Sequence, residues 1–129
     1  MNKTVALAAT LIGFAVAPAQ AGSLTGIWQT EPDRKDQVGH VQITPCGQTL
    51  CGTVISAYDS SGNPVTTPNV GRRILWDVAA QGATGNGTVY VPIIGSSFPV
   101  TLQATGSRLN LRACNSIGLC KTQAWTRVE

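Results

Sequence analysis

Residues 98–113 read FPVTLQATGSRLNLRA, and this stretch decides the fold class. Apolar side chains occupy every second position on both sides of Gly106-Ser107. That pattern is typical of two half-buried antiparallel strands joined by a tight turn. The residues predicted to face the core are Phe98, Val100, Leu102 and Ala104 on the first strand and Leu109, Leu111 and Ala113 on the second. The chain therefore shows the period-two alternation of β-structure.

Similar short runs rich in Val, Ile, Thr and aromatic residues continue in both directions, separated by Gly, Asn, Pro and Ser. They predict eight strands, at about 25–30, 38–45, 50–57, 72–79, 88–93, 98–104, 107–113 and 120–128. Further turns are predicted at Gly47-Gln48, Gly85-Asn86-Gly87 and Gly95-Ser96-Ser97, and a further core face at Ile74, Trp76 and Val78.

Connections this short make neighbouring strands antiparallel. Closing eight such strands into a ring removes the open edges of the sheet. The predicted fold is therefore all-β, a small antiparallel up-and-down β-barrel of about eight strands. A flattened sandwich is the alternative.

The N-terminus predicts export. Lys3 supplies a positive charge, and residues 5–17 form an apolar run that is too short to span a bilayer as a retained anchor. Pro18 then breaks the run, and Ala19-Gln20-Ala21 has the small-x-small pattern of a signal peptidase site. We expect residues 1–21 to be a cleavable signal peptide and residues 22–129 to form a single β-barrel domain, periplasmic or secreted.

The four cysteines occur in two pairs, each of which flanks a predicted turn: Cys46 with Cys51, and Cys114 with Cys120. Four cysteines allow three connectivities. We favour 46–51 with 114–120, because opposite positions at a hairpin neck lie close enough for a disulfide. A four-thiolate zinc site is the competing interpretation. The C-x4-C and C-x5-C spacings and the oxidising destination of an exported chain disfavour it, so we expect no metal site.

Charge and residue chemistry exclude several function classes. The nine basic side chains are scattered apart from the doublets Arg34-Lys35 and Arg72-Arg73, so no basic stripe predicts a nucleic-acid partner. His40 is the only histidine, and sequence spacing places no nucleophile or orienting group beside it. We expect no catalytic residues, no cofactor and a protein that is not an enzyme.

Gly26-Ile27-Trp28 and Trp125-Thr126-Arg127 resemble the lipocalin and calycin pattern, in which the Trp of a G-x-W motif packs under an Arg from the last strand. The chain also resembles the exported bacterial family catalogued as domain of unknown function 2147. That resemblance further covers Cys46 to Gly52, Gly87 to Phe98 and Cys114 to Arg127. It implies a lipocalin-like barrel closed by Gly26, Trp28, Trp125 and Arg127, and ligand binding only by analogy of fold.

Residues 58–71, YDSSGNPVTTPNVG, form a polar stretch that is long for a connection within a compact domain. Loops of this length are often lids or binding loops, although this composition also suits a disordered surface loop. We expect a small, partly apolar molecule to bind in a modest cavity beneath this loop. The residues predicted to line that cavity are Trp76, Tyr90, Phe98 and His40. The alternative is a filled barrel that serves as a non-catalytic structural or protein-interaction module of the cell envelope, with an unidentified protein partner.

Overall fold

The computed structural model describes residues 23–129, so the predicted signal peptide, residues 1–21, lies outside the described residues. The described chain forms eight strands and no helix. They are β1 (Gly26–Gln29), β2 (Val38–Cys46), β3 (Thr49–Tyr58), β4 (Arg73–Gln81), β5 (Thr84–Val91), β6 (Ser96–Thr105), β7 (Arg108–Cys114) and β8 (Cys120–Arg127).

Each strand pairs antiparallel with the next, and β1 pairs with β8, which closes the barrel. The predicted all-β, eight-stranded up-and-down barrel is therefore confirmed. The seam between β1 and β8 is short, with Trp28 opposite Arg127 and Gln29 opposite Thr126. Three backbone hydrogen bonds extend it, from Ile27 N to Glu129 O at 2.7 Å and from Val128 N and Glu129 N to Ile27 O at 2.8 and 3.2 Å.

The connections divide between two ends of the barrel because successive strands run in opposite directions. We call one end the closed end; it carries the tight turns at 47–48, 82–83 and 106–107 together with residues 23–25. We call the other the open end; it carries the connections 30–37, 59–72, 92–95 and 115–119. The longer loops all lie at the open end.

Apolar side chains fill the barrel interior. The predicted core residues Val100, Leu102, Ala104, Leu109 and Leu111 are buried, and Phe98 and Ala113 pack against the buried cluster. These side chains form one continuous buried cluster inside the barrel. The largest fully buried side chains are Trp28, Leu24, Ile43, Leu75, Leu102, Leu109, Val41 and Val78.

The predicted turn at Gly85-Asn86-Gly87 is wrong, because these residues lie within β5. The chain turns earlier, at Gly82, whose φ is +64°. Close packing of neighbouring side chains explains why residues 85 and 87 are glycines. A Cβ at Gly85 would lie 2.8 Å from Leu24 Cδ1, and one at Gly87 would lie 2.7 Å from Val78 Cγ2. Their missing side chains leave room for residues that reach in from elsewhere in the chain.

The predicted core face of β4 is wrong at one position. Ile74 and Val78 are buried as predicted, but Leu75 is fully buried while Trp76 is only half-buried. The pairing with β5 is irregular between Trp76 and Ala79, and Asp77 within that irregularity has a φ of +55°. A β-bulge of this kind shifts the alternation of a strand by one residue, so Leu75 and Val78 both face the core.

Arg127 joins three segments at the closed end. Its guanidinium carbon lies 4.1 Å from the centre of the Trp28 ring, and it donates hydrogen bonds to Thr25 O at 2.9 Å and Ser23 O at 2.7 Å. Trp28 Nε1 donates in turn to Leu24 O at 2.9 Å. Gly26, at φ +131°, has no side chain because a Cβ there would lie 2.6 Å from Arg127 Nη1. The geometry therefore places Trp28 under Arg127, as the family resemblance implies.

Two disulfides staple the barrel, one at each end. Cys46 is bonded to Cys51 across the β2–β3 turn at the closed end, and Cys114 to Cys120 across the β7–β8 loop at the open end. The predicted connectivity is therefore confirmed. Both bonds hold the neck of a hairpin.

We expect Arg127 and Trp28 to be energetically coupled. Arg127→Ala should reduce the free energy of unfolding by about 2 kcal/mol, because it removes a cation–π contact and two charge-assisted hydrogen bonds. Trp28→Ala should reduce it by about 3–5 kcal/mol as a core truncation. Urea denaturation of both single variants and the double variant measures the coupling, and exposed Arg108→Ala is the control. Strictly additive losses would mean that Arg127 does not stabilise the closed end through Trp28.

Each disulfide closes a short loop, so each should stabilise the fold by about 2 kcal/mol in the chain-entropy model. The paired variants Cys46→Ala/Cys51→Ala and Cys114→Ala/Cys120→Ala should each lower the melting temperature. Thermal melts with and without dithiothreitol check this, since reduction of the wild type should reproduce the combined loss. Unchanged melting on reduction would contradict the expectation.

Candidate functional site

A cleft of about 520 Å³ opens at the open end, between the β1–β2 loop and the first turn of the β3–β4 loop. It combines two rings and two aliphatic side chains with a few polar groups. Its volume lies in the range of small-molecule sites, about 300 to 1,000 Å³, and the cleft is wide open to solvent. The lining residues are Gln29, Pro32, Asp36, Val38, His40, Tyr58, Asp59, Ser60 and Gly62.

Strand pairing fixes the centre of this cleft. Gln29 on β1 lies opposite His40 on β2, and Val38 on β2 lies opposite Tyr58 on β3. The His40 Nε2 atom is 3.1 Å from Gln29 Oε1, and the His40 ring centre is 4.7 Å from that of Tyr58, with the two planes tilted by 51°. His40 is therefore held between an amide on one neighbouring strand and a phenol ring on the other.

The cleft lies outside the packed interior of the barrel. Val41, the next residue along β2, is fully buried, whereas His40 is only half-buried. The pairing of β2 with β1 is regular here, with the fully buried Trp28 opposite Val41 and Gln29 opposite His40, so His40 and Gln29 point to the outer side of the sheet. A molecule could enter the cleft without disturbing the core.

One turn geometry recurs in three of the four open-end loops. A side-chain Oδ1 accepts hydrogen bonds from the backbone N–H groups two and four residues later, at 2.8–3.1 Å; the accepting residue is Asp33, Asp59 or Asn115. The residue three positions later, Asp36, Gly62 or Gly118, has positive φ. The turns at Asp33 and Asp59 form the cleft walls, so those walls are pre-organised by local hydrogen bonds.

The cleft is rich in hydrogen-bond acceptors. Desolvation by partial burial lowers the pKa of His40 from its ordinary value of 6.5, so its imidazole is neutral at pH 7. An Nε2–H group that donates to Gln29 leaves Nδ1 of His40 as an acceptor. Asp36 and Asp59 add carboxylates at the rim. The site therefore suits a molecule with an apolar body and hydrogen-bond donors.

The structure places only one of the four predicted cavity residues, His40, in this cleft. Trp76 lies opposite Thr88, on the face of the sheet away from the buried Leu75. Tyr90 lies under Arg72, whose guanidinium carbon is 5.1 Å from the centre of its ring. Phe98 packs against the core cluster. The four side chains therefore do not line a common cavity.

Sequence reasoning missed Tyr58 and Gln29 as cleft residues. The available signal was the position of Tyr58 at the start of the polar stretch 58–71. That stretch packs back along β3, through hydrogen bonds from Val65 N to Ala57 O at 3.0 Å and from Gly71 N to Val54 O at 2.7 Å. It supplies one wall of the cleft rather than a cover over the barrel mouth.

A second open concavity, of about 530 Å³, lies on the outer face of β5 to β8 and is lined mainly by Thr, Asn and Gln, with no aromatic ring. Within residues 23–129, no group of three His, Cys, Asp or Glu side chains is arranged to hold a metal ion. No helix in that part of the chain is long and apolar enough to cross a membrane. The open-end cleft is thus the better candidate site, because it alone combines rings with convergent polar groups.

Comparisons with known proteins agree with the fold. A model of the family described as uncharacterized proteins conserved in bacteria (DUF2147) matches residues 26–127. Among solved structures, the chain is similar to protein HP1028 of Helicobacter pylori, described as belonging to the lipocalin family. The two share 19% identity with a TM-score of 0.65, over 83% of this chain and 84% of that one. A comparison with curated proteins found no match.

We expect the stability of the protein to fall in mild acid through His40. Its pKa is lower in the folded state than in the unfolded chain, so the unfolded state binds more protons below about pH 6.5. The free energy of unfolding should be highest above that pH and decrease as the pH falls towards 5, and His40→Gln should flatten this decrease. Because His40 is the only histidine, NMR titration of a tag-free protein reports its pKa directly. A folded-state value at or above 6.5 would contradict the expectation.

Proposed function

The chain belongs to the family of uncharacterized proteins conserved in bacteria (DUF2147), and from that premise we propose that it binds a small, partly apolar molecule in the open-end cleft. The observation that carries the proposal is the contact between the tilted rings of His40 and Tyr58, with Gln29 beside it. The pair offers an apolar surface next to polar atoms in a concavity of ligand size. The lipocalin-like fold supports a binding role by analogy only.

The cleft, and not the barrel interior, is the proposed site because the interior is occupied by its own side chains. A molecule inside the barrel would have to displace fully buried residues such as Leu75 and Leu102. Displacing packed core side chains is costly. The cleft requires no such rearrangement, since its walls are turns held by their own hydrogen bonds.

The polar groups of the cleft restrict the chemistry of the ligand. Nδ1 of His40 and the carboxylates of Asp36 and Asp59 accept hydrogen bonds and do not donate them at neutral pH. We therefore propose a neutral or cationic ligand, with a polar group that pairs with these acceptors or with the hydroxyls of Tyr58 and Ser60, and a ring or aliphatic body that lies against Tyr58. An anionic ligand would face two carboxylates of its own sign.

We propose that binding takes place outside the cytoplasm and without chemical conversion of the ligand. The two disulfides indicate an oxidising compartment. The predicted signal peptide, residues 1–21, accounts for how the chain would reach it. No nucleophile accompanies His40 in its hydrogen bond with Gln29, which supports a binding role over catalysis.

A second candidate function is a protein-interaction module of the cell envelope. The observation that favours it is the filled interior, which leaves the outer surface and the loops for recognition. In that case the open-end cleft would receive a side chain of a partner protein rather than a free molecule.

The two tyrosines of the chain provide a matched test. The neutral dye N-phenyl-1-naphthylamine should bind at one site, with a rise in fluorescence. Tyr58→Ala should weaken binding by about fivefold, as expected for loss of one aromatic contact worth about 1 kcal/mol. Tyr90→Ala should leave the affinity unchanged, because Tyr90 lies on β5 beneath Arg72. Dye titration of both variants and the wild type measures this.

The opposite pattern would overturn the proposed site. If Tyr90→Ala weakens dye binding while Tyr58→Ala does not, the dye binds on the β5 side of the barrel and not in the open-end cleft. If no dye binds and native mass spectrometry of the protein from its source shows no bound small molecule, the protein-interaction function is favoured.

A further inference from the structure

The most exposed large hydrophobic side chains of the described chain lie at two hairpin tips. Ile93 and Ile94, in the β5–β6 connection, are 63% and 60% exposed, and Ile117 and Leu119, in the β7–β8 loop, are 78% and 66% exposed. Single exposed apolar residues are common on protein surfaces. Four at two adjacent tips form a cluster that requires an explanation. We call these four residues the apolar tips.

The topology brings the apolar tips together at one half of the open end. β5, β6, β7 and β8 are consecutive neighbours in the barrel, so the β5–β6 and β7–β8 connections project side by side. Phe98, just inside the β5–β6 tip, packs on the core and anchors it. The four aliphatic side chains are therefore exposed on neighbouring hairpin ends of the rim.

The backbone holds both tips in place. Asn115 Oδ1 accepts hydrogen bonds from Ile117 N and Leu119 N, and the Cys114–Cys120 disulfide closes the neck of the same hairpin. In the other tip, Val91 O accepts hydrogen bonds from Ile94 N at 3.0 Å and Gly95 N at 2.8 Å. Because these tips are already ordered, their insertion into an apolar environment requires little further loss of conformational entropy.

Charge identifies the surface that would receive the tips. Residues 84–127, which include all of β5 to β8, contain no acidic residue and four basic ones, of which Arg108 and Arg127 lie at the closed end and Arg112 and Lys121 lie towards the tips. The basic side chains nearest the β7–β8 tip are Lys121 and Arg112, and Arg112 reaches to 3.3 Å from Cys120 Sγ. On the β4 side of the apolar tips, Arg72 immediately precedes β4 and Arg73 is its first residue. Three acidic residues of the open end lie on its opposite half, at Asp33, Asp36 and Asp59, whereas Glu31 accepts a hydrogen bond from Ala124 N of β8.

We propose that this half of the open end docks on an anionic lipid surface. The aliphatic tips enter the boundary between headgroups and acyl chains, and the flanking basic side chains contact anionic headgroups. Apolar insertion combined with basic residues is the pattern of proteins that lie on a membrane without spanning it. The acidic half, which contains the cleft, then faces away from the lipid. The proposal does not depend on the ligand-binding function, because it uses different residues.

The experiment is co-sedimentation of the folded protein with vesicles of phosphatidylcholine, with and without phosphatidylglycerol. The wild type should bind the phosphatidylglycerol vesicles and bind pure phosphatidylcholine at least about tenfold more weakly, since the attraction to anionic lipid is electrostatic. Raising the salt from about 0.1 to 1 M should release it, because the screening length falls from about 10 to 3 Å.

Matched variants distinguish vesicle binding through the apolar tips from non-specific adsorption. Ile93→Ser/Ile117→Ser should reduce binding to the anionic vesicles by at least about tenfold, as expected when inserted apolar area is removed. Ile55→Ser/Val128→Ser, which changes two exposed aliphatic residues away from the tips, should bind as the wild type does. Arg73→Gln/Lys121→Gln should weaken binding, whereas Arg34→Gln/Lys35→Gln, on the acidic half, should not. Circular dichroism of each variant establishes that it is folded.

Three outcomes would overturn the proposal. The first is a wild-type protein that sediments with neither vesicle. The second is a folded tip variant that binds anionic vesicles as tightly as the wild type. The third is a wild-type protein that does not bind vesicles but self-associates with rising concentration in sedimentation velocity, together with a tip variant that does not self-associate. In that case the tips would contact a second copy of the chain.

Discussion

A four-residue strand closes this barrel, and the contact between Arg127 and Trp28 makes so short a closure possible. β1 pairs with β8 through only two residue pairs. The Arg127 guanidinium adds hydrogen bonds to Ser23 and Thr25, and it lies over the same Trp28 ring that anchors Leu24. One side chain thereby ties the first strand, the last strand and the chain before β1 into a single closed end. The packed interior depends on that closure, because Leu24 enters the barrel from this segment and occupies space left by Gly85.

A barrel that is closed and filled at one end has its recognition surfaces at the other. The open end is divided by charge and shape. One half, between the β1–β2 and β3–β4 loops, holds the acceptor-rich cleft around His40. The other half, from β5 to β8, presents rigid aliphatic tips among basic side chains. Together, the two proposals have the protein face an anionic lipid surface with one half of its rim and hold a small molecule with the other half, which faces away from the lipid.

The sequence predicted the features that local pattern controls. The alternation of apolar and polar residues predicted the strands and the core face of β6 and β7. The cysteines that flank two turns predicted both disulfides. Features set by distant contacts could not be predicted. Gly85 and Gly87 have the composition of a turn, but they serve the packing of Leu24 and Val78. Because of the bulge at Asp77, Leu75 lies in the core at the place predicted for Trp76. The approach of His40 to Tyr58 depends on the register of two strands separated by a hairpin, so no spacing in the chain could reveal it.

The central claim is that recognition takes place at the outer rim and that the barrel interior stays packed. Amide chemical-shift mapping of the ¹⁵N-labelled protein during titration with N-phenyl-1-naphthylamine tests it most directly. The account predicts that the largest shifts occur at Gln29, from Asp36 to His40 and from Tyr58 to Gly62, while interior residues such as Leu75 and Leu102 stay unchanged. The largest shifts at Leu75, Val100 and Leu102 would contradict it, because they would place the molecule inside the barrel.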